Sequence, residues 1–264
     1  MALTDDDWQA LWPVAEALAD AARVETLAHF RAPDLTAESK RADFDPVTVA
    51  DRAAEQAMRR ILAERRPEDG ILGEEFADEP SRSGVTWVLD PIDGTRGYLA
   101  GTPTWGVLIA VSDETGPRLG VIDQPWTGER FMGGAGRATL RWPGGERPLK
   151  VRPARPVGEA ILFTTFPEIG TEDERAAFGR VASDARLVRY GTDCYAYGLL
   201  ALGTIDLVIE AGLQPYDIGG PLAVVEAAGG IVTDWQGGPA AAGGQVIAAS
   251  SPAIHAEAMA RLAG

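Results

Sequence analysis

From Ala160 to the C-terminus the chain alternates short apolar runs with amphipathic ones, and that alternation confines it to layered α/β architectures. Strands are expected at Ala160–Phe163, Leu187–Tyr190, Ile205–Glu210, Ile231–Trp235 and Gln245–Ala249. Helices are expected between them at Glu172–Val181, Asp193–Leu202 and Pro221–Ala228, and Ser251-Pro252 offers the N-cap serine and N1 proline of a last one. The first half reads differently. Trp8, Leu11, Trp12, Ala15, Leu18 and Ala22 recur at helical spacing between Thr4 and about Phe30. Thr4 and Asp7 are spaced as a capping box, and Pro13 is expected to kink this helix or delay its start. A polar stretch, Ala37–Pro46, leads to a second helix at about Thr48–Arg65, with Ala54, Met58, Ile61 and Leu62 as its buried stripe. Short β runs follow at Gly70–Gly73, Trp87–Asp90, Trp105–Val111, Leu119–Asp123 and Arg130–Met132. The turn-rich Arg141–Glu146 segment is expected to be the seam between an N-terminal half, about 1–145, and a C-terminal α/β half, about 146–264.

Charge narrows the choice of partners. With 39 acidic against 24 basic residues the formal charge is −15, a field that opposes contact with bare nucleic acid. An anionic ligand would need that sign reversed locally, which bound divalent cations do. Most of the acidity otherwise serves solubility. No apolar run reaches the ~20 residues of a membrane span, and MALTDDDWQA lacks the basic flank of a signal peptide. Cys194 is the single cysteine, so a reducing cytoplasm is the expected home.

Three segments carry chemistry. In Trp87-Val88-Leu89-Asp90-Pro91-Ile92-Asp93-Gly94-Thr95 an apolar strand ends in an aspartate, Pro91 stiffens the turn after it, and Asp93 can face the same point. Two converging aspartates repel unless a cation lies between them. Oxygen donors without sulfur or histidine favour Mg²⁺ or Mn²⁺ over Zn²⁺. Gly94 and Thr95 offer backbone N–H groups to a phosphate at a loop or helix start. Read alone, the same letters fit a plain strand–turn equally well. Gly73-Glu74-Glu75-Phe76, after a short strand, would alone be a solvated loop, and Asp217, at the N-terminal end of a helix, would alone be an N-cap.

Taken together, the G-E-E loop, W-x-x-D-P-I-D-G-T and a distal aspartate heading a helix that ends in G-G resemble the inositol monophosphatase superfamily in order and spacing, from the first helix to Trp235. The resemblance implies a single catalytic domain, 1–264, folded as the layered α-β-α-β-α sandwich of the inositol monophosphatase/fructose bisphosphatase type. It implies two or three Mg²⁺ ions (Mn²⁺ is the alternative). Glu74, Asp90 and the Ile92 carbonyl would hold the first, Asp90, Asp93 and Asp217 the second, and a weaker third would lie near Glu74. Asp51, Thr95 and Glu74 would be the catalytic residues, with Thr95 hydrogen-bonded to Asp51 and the pair positioning and deprotonating the attacking water. Lys40 matches a family lysine, and a solvated surface lysine fits it as well. A homodimer acting on a small phosphorylated metabolite, without nucleic acid or membrane, is likewise implied. His29 and His255 fall outside every motif, and Cys194 reads as a small buried hydrophobe rather than a nucleophile.

Within that superfamily the sequence departs from the inositol-specific pattern. Arg96-Gly97-Tyr98 follows the D-G-T, and Gln214-Pro215-Tyr216 precedes Asp217. With Tyr190-Gly191-Thr192-Asp193-Cys194-Tyr195-Ala196-Tyr197 and Thr233-Asp234-Trp235-Gln236-Gly237, these resemble the histidinol-phosphate phosphatase branch. That implies Mg²⁺-dependent hydrolysis of L-histidinol phosphate to L-histidinol and phosphate. Gly94 and Thr95 would bind the phosphate, and Glu210 and Asp193 would face the substrate's cationic end. Asp193 is also placed to N-cap the following helix. The alternatives are an inositol monophosphatase or broad-specificity phosphatase of the same fold, and a non-catalytic binding protein that kept it.

Overall fold

Thr4 caps α1 (Asp5–Gln9) through a reciprocal box with Asp7, and the chain breaks before α2 (Trp12–His29), where Pro13 falls in the first turn. The break is where a proline, with no N–H for the helical ladder, belongs. The computed structural model describes residues 4–33, 35–39 and 46–264. Lys40 lies outside the described residues. Part of the polar link expected at 37–46 is β structure: β1 (Ala37–Ser39) pairs antiparallel with β2 (Pro46–Thr48), which runs into α3 (Val49–Arg65).

A seven-stranded sheet follows, formed by β3 (Gly70–Gly73), β4 (Thr86–Asp93), β5 (Gly106–Asp113), β6 (Gly116–Gln124), β7 (Glu129–Gly134), β8 (Arg137–Trp142) and β9 (Gly145–Pro148), with α4 (Thr95–Ala100) between β4 and β5. The strands are ordered as they are numbered, parallel for β3–β4 and antiparallel thereafter. This corrects the expected seam. Trp142 pairs with Gly145, so Pro143-Gly144 is the tight turn of a hairpin and the chain stays in the sheet to Pro148. With Arg137, Thr139 and Arg141 in β8 and an exposed β9, that hairpin carries too little apolar signal to read as strands.

The rest alternates as the sequence pattern requires: β10 (Ile161–Thr164), α5 (Glu172–Ala182), β11 (Leu187–Tyr190), α6 (Tyr195–Ala201), β12 (Leu207–Leu213), α7 (Pro215–Ala227), β13 (Ile231–Thr233), β14 (Gly244–Ala249) and α8 (Pro252–Ala263). Its sheet has the order β11-β10-β12-β14-β13. Five layers result. Leu18 and Ala22 of α2 and Met58 and Leu62 of α3 bury one face of the first sheet at Trp87, Leu89, Ile109 and Val121. The other face, at Leu108, Ile122 and Phe131, packs on α6 and α7, which also cover Phe163, Val208 and Val246 of the second sheet. Phe178 and Val181 of α5 and Ile254 and Leu262 of α8 close the outside over Leu162, Leu207 and Ile247. This is the α-β-α-β-α sandwich expected. Among the described residues no helix is long and apolar enough to cross a membrane.

α7 departs from its expected start at Pro221. It begins at Pro215 and holds Gly219, Gly220 and Pro221 inside. Each interior glycine costs about 1 kcal/mol in helix propensity, and packing offsets it. A Cβ on Gly219 would lie 3.0 Å from the Ala110 Cβ, one on Gly220 3.0 Å from the Ile109 and Val121 carbonyl oxygens, and one on Gly120 would run into the Gly220 carbonyl. The helix rests backbone to backbone on β5 and β6, a separation only glycine permits.

Candidate metal centre and active site

Strand register collects the carboxylates. β3 and β4 are parallel with Gly73 opposite Leu89, so Glu74 and Asp90 leave the sheet side by side, and the Glu74 N–H donates to the Leu89 carbonyl at 3.2 Å. Aspartates three apart on a regular strand would point to opposite faces. Here Asp90 pairs with Leu108 and Asp93 with Gly106, so one extra residue bulges from β4. Such a bulge reverses the alternation and turns both side chains one way. The Ile92 N–H donates to Asp90 Oδ1 at 3.0 Å, and the Thr95 hydroxyl donates to the Ile92 carbonyl at 3.1 Å, bracing this turn. Asp93 Oδ2 accepts the Cys194 N–H at 2.6 Å. Asp217, in the first turn of α7, accepts the Gln214 N–H at 2.6 Å, so it lies inside the helix rather than ahead of it.

One carboxylate oxygen from each of Asp90, Asp93 and Asp217 lies within 4.8 Å of the others. Burial first, then the charges of Glu74, Asp93 and Asp217, hold the Asp90 carboxyl well above the usual range, and Glu74 also hydrogen-bonds to it. Burial, then Asp193 and Asp217, does the same to Asp93. Like charges held close together on hard oxygens alone fit Mg²⁺ or Mn²⁺.

The Thr95–Asp51 hydrogen bond implied by the resemblance is not made. Thr95 donates to Ile92, while Asp51 Oδ2 accepts the Thr48 N–H at 2.8 Å and the Thr48 hydroxyl at 2.6 Å, completing the capping box of α3. The box turns Asp51 Oδ2 away, and Oδ1 is left buried without a hydrogen-bond partner. Burial pushes this carboxyl up to about 6.

A cavity of about 290 Å³ joins the remaining residues: Glu74, Asp93, Gly94, Thr95, Asp193, Glu210 and Asp217 all line it, while Asp51, Asp90 and Ile92 are buried behind. Glu210 is held by both oxygens, accepting the Thr164 hydroxyl at 3.1 Å and the Thr165 N–H and hydroxyl at 2.7 and 2.9 Å. Burial pushes it up to about 7 against those bonds. Asp193 does not cap a helix. α6 starts at Tyr195 with Cys194 at the cap, and Asp193 takes φ +44° with its carboxyl packed over Gly94, where any Cβ would come within 2.7 Å of it. Burial pushes Asp193 up to about 6 against the pull of Arg96.

Arg96, 5.1 Å over the Phe166 ring, and Thr165 also line the cavity. Arg96 was visible in the D-G-T-R pattern without a role. Thr165 and Phe166 follow the C-terminal end of a parallel strand, the edge where α/β sheets place ligands, and that position was the available signal. Cys194 is buried and its thiol lies well above the usual value, from burial and then Asp93, which suits a packing role. His255, on α8, is buried with its Nε2 2.7 Å from the Thr233 hydroxyl.

The raised carboxyls make stability depend on pH. A carboxyl whose folded pKa exceeds its unfolded value contributes stability below the unfolded value and loses it as pH rises through the folded one. Asp51, Asp193 and Glu210 therefore weaken the metal-free protein as pH climbs from about 4 to 7. Divalent binding needs the Asp90 and Asp93 carboxylates ionised, and both are held well above the usual range, so it should release protons, and the rise in Tm on adding Mg²⁺ should grow as pH rises. Calorimetric titration in two buffers of different ionisation enthalpy, with melting from pH 5 to 8, measures both. A Mg²⁺ increment independent of pH with no proton release would refute it.

The family model described as the inositol monophosphatase family matches residues 7–264. The bifunctional phosphatase IMPL2 of Arabidopsis thaliana is 39% identical over 269 residues, covering 97% of this chain and 76% of the relative. A histidinol-phosphatase of Mycobacterium tuberculosis is 34% identical, covering 94% and 96%. The solved structure of an inositol monophosphatase from Zymomonas mobilis superposes with a TM-score of 0.84 at 39% identity, over 100% of both chains.

Proposed function

Since the chain belongs to the inositol monophosphatase family, we propose that it hydrolyses L-histidinol phosphate to L-histidinol and phosphate with Mg²⁺. It is a metal-dependent phosphomonoesterase of that family. The observation that carries the choice of substrate is the second pair of carboxylates. Asp193 and Glu210 share the cavity with the metal cluster, and a substrate with an amine and an imidazole offers cations to both.

Glu74, Asp90 and the Ile92 carbonyl would hold one ion and Asp90, Asp93 and Asp217 a second, with a weaker third near Glu74. Bound there, divalent ions neutralise the carboxylates, polarise the phosphoryl oxygens and acidify water. The Gly94 and Thr95 N–H groups bind the phosphate. Asp51 takes the proton of the attacking water on its unpartnered oxygen, once the Thr95 hydroxyl has turned from the Ile92 carbonyl towards it. A water oxygen bonds to phosphorus, the ester P–O bond breaks, and the departing alkoxide takes a proton from a second water, whose hydroxide is neutralised by the proton Asp51 gives up. Both halves wall the cavity, which supports one catalytic domain over 1–264. We place it in the cytoplasm as a homodimer.

The test is phosphate release from histidinol phosphate, inositol 1-phosphate and 3′-phosphoadenosine 5′-phosphate side by side. Preference for inositol 1-phosphate would overturn the substrate assignment and leave the metal chemistry standing. A buried charged hydrogen bond is worth ~1.5–3 kcal/mol, so Glu210→Gln and Asp193→Asn should each lower kcat/KM for histidinol phosphate about 10- to 150-fold. p-Nitrophenyl phosphate, whose leaving group carries no cation, should be nearly unaffected. Equal losses on both esters would assign these residues to the fold.

A further inference from the structure

The loop that carries Glu74 is held by a buried ion pair with no part in the chemistry above. Glu55 lies on α3 with 0% exposure. Oε1 accepts Arg59 Nε at 2.8 Å, and Oε2 accepts the Glu75 N–H at 2.8 Å. The carboxylate lies against Gly73 so closely that any Cβ there would run into Glu55 Oε1. Arg59 carries the contact further along the loop. Its Nη1 donates to Glu79 Oε1 at 2.9 Å, its Nη2 to the Phe76 carbonyl at 3.3 Å, and its guanidinium sits 5.7 Å from the centre of the Phe76 ring. Outside α3, the contacts of this pair fall between residues 73 and 79, and the loop returns to β3 through the Ile71–Glu79 bridge.

Burying a carboxylate is costly unless it is paired and bonded, and a buried ion pair commonly adds little net stability over apolar residues of the same volume. What this pair does supply is position. It fixes the backbone on both sides of Glu74, at Gly73 and at the Glu75 N–H, while leaving the Glu74 carboxylate to meet Asp90. We propose that Glu55 and Arg59 are positioning residues that set Glu74 for divalent-cation binding. The proposal rests on the reading of Glu74 as a metal ligand.

The test uses Glu55→Gln and Arg59→Met, with Arg152→Met as a control that breaks the Arg152–Asp206 pair in the C-terminal half. Four quantities are read: Mn²⁺ binding to the metal-free protein by calorimetry, the Mg²⁺ concentration for half-maximal phosphate release, amide exchange across residues 74–77 without metal, and Tm. Loss of a partner that orients a metal ligand weakens affinity about 10- to 100-fold. Glu55→Gln and Arg59→Met should weaken Mn²⁺ binding and raise the Mg²⁺ requirement by that factor, with faster exchange at 74–77 and kcat retained at saturating Mg²⁺. Arg152→Met should change Tm alone. Should Glu55→Gln not fold, Arg59→Lys, which keeps the charge and loses the fork, carries the same comparison. Variants that melt lower yet bind Mn²⁺ and exchange like the wild type would overturn the proposal. A wild-type protein that binds no Mn²⁺ would overturn the metal centre itself.

Discussion

Asp90→Asn is expected to abolish phosphate release at every Mg²⁺ concentration, while the metal-free variant melts higher than the metal-free wild type. Asp90 is the carboxylate shared by both proposed ions, and an amide there withdraws one charge from each site at once. The fold should survive, because Asn keeps the oxygen that accepts the Ile92 N–H. The gain in melting temperature follows from the sign of the shift. The Asp90 carboxyl is held well above its ordinary value, so at neutral pH its ionised form opposes folding, and a neutral isostere removes that opposition. Activity against Mg²⁺ concentration, with calorimetric melting in chelator, reads both effects. Wild-type turnover at saturating Mg²⁺ would remove Asp90 from the metal centre.

The second large effect is expected at Thr95. Thr95→Ala should lower kcat about 10²- to 10⁴-fold, the range for a positioned proton-transfer group, with little change in the Mg²⁺ needed for half-maximal activity. The hydroxyl sits one residue past Gly94 and donates to a carbonyl of the metal turn, and Asp51 waits behind with a buried oxygen that has no partner. If the two work on one proton, Asp51→Asn should cost a similar factor and the double variant little more. Asparagine can still accept the Thr48 N–H, so the α3 cap should largely persist. A Thr95→Ala enzyme that loses Mg²⁺ affinity but keeps kcat would move Thr95 to a ligand-holding role.

The layers were legible because periodicity reports burial directly. Leu18, Ala22, Met58 and Leu62 mark the inner faces of α2 and α3, and the strand–helix alternation after Ala160 marks the second sheet. The carboxylates were legible as letters, but their convergence was not. Nothing in Gly73-Glu74 states that β3 lies parallel to β4 in the register that puts Glu74 beside Asp90, since strand pairing across the intervening loop is a tertiary fact. The early start of α7 was hidden because propensity penalises Gly219 and Gly220, whereas their close packing on the sheet is what places them there. Asp193 misled for a similar reason. Its position before an apolar helix fits a cap, and only the positive φ turns it over Gly94 instead.

The glycine contact between α7 and the sheet makes β5 and β6 a datum surface against which the active site is gauged. Where side chains separate a helix from a sheet, rotamers take up small errors in spacing. Between Gly120 and Gly220 there is no such cushion, and the stand-off is fixed by backbone atoms alone. Asp217 rides on the same helix, less than one turn from that seat, while Asp90 and Asp93 end a strand of the sheet below. The tolerance of the proposed metal site is thus inherited from a contact that includes none of the carboxylates proposed to ligate it. A single methyl at position 120 would act as a shim, lifting Asp217 away from Asp90 and Asp93 and leaving a protein with every carboxylate present and the cluster out of gauge.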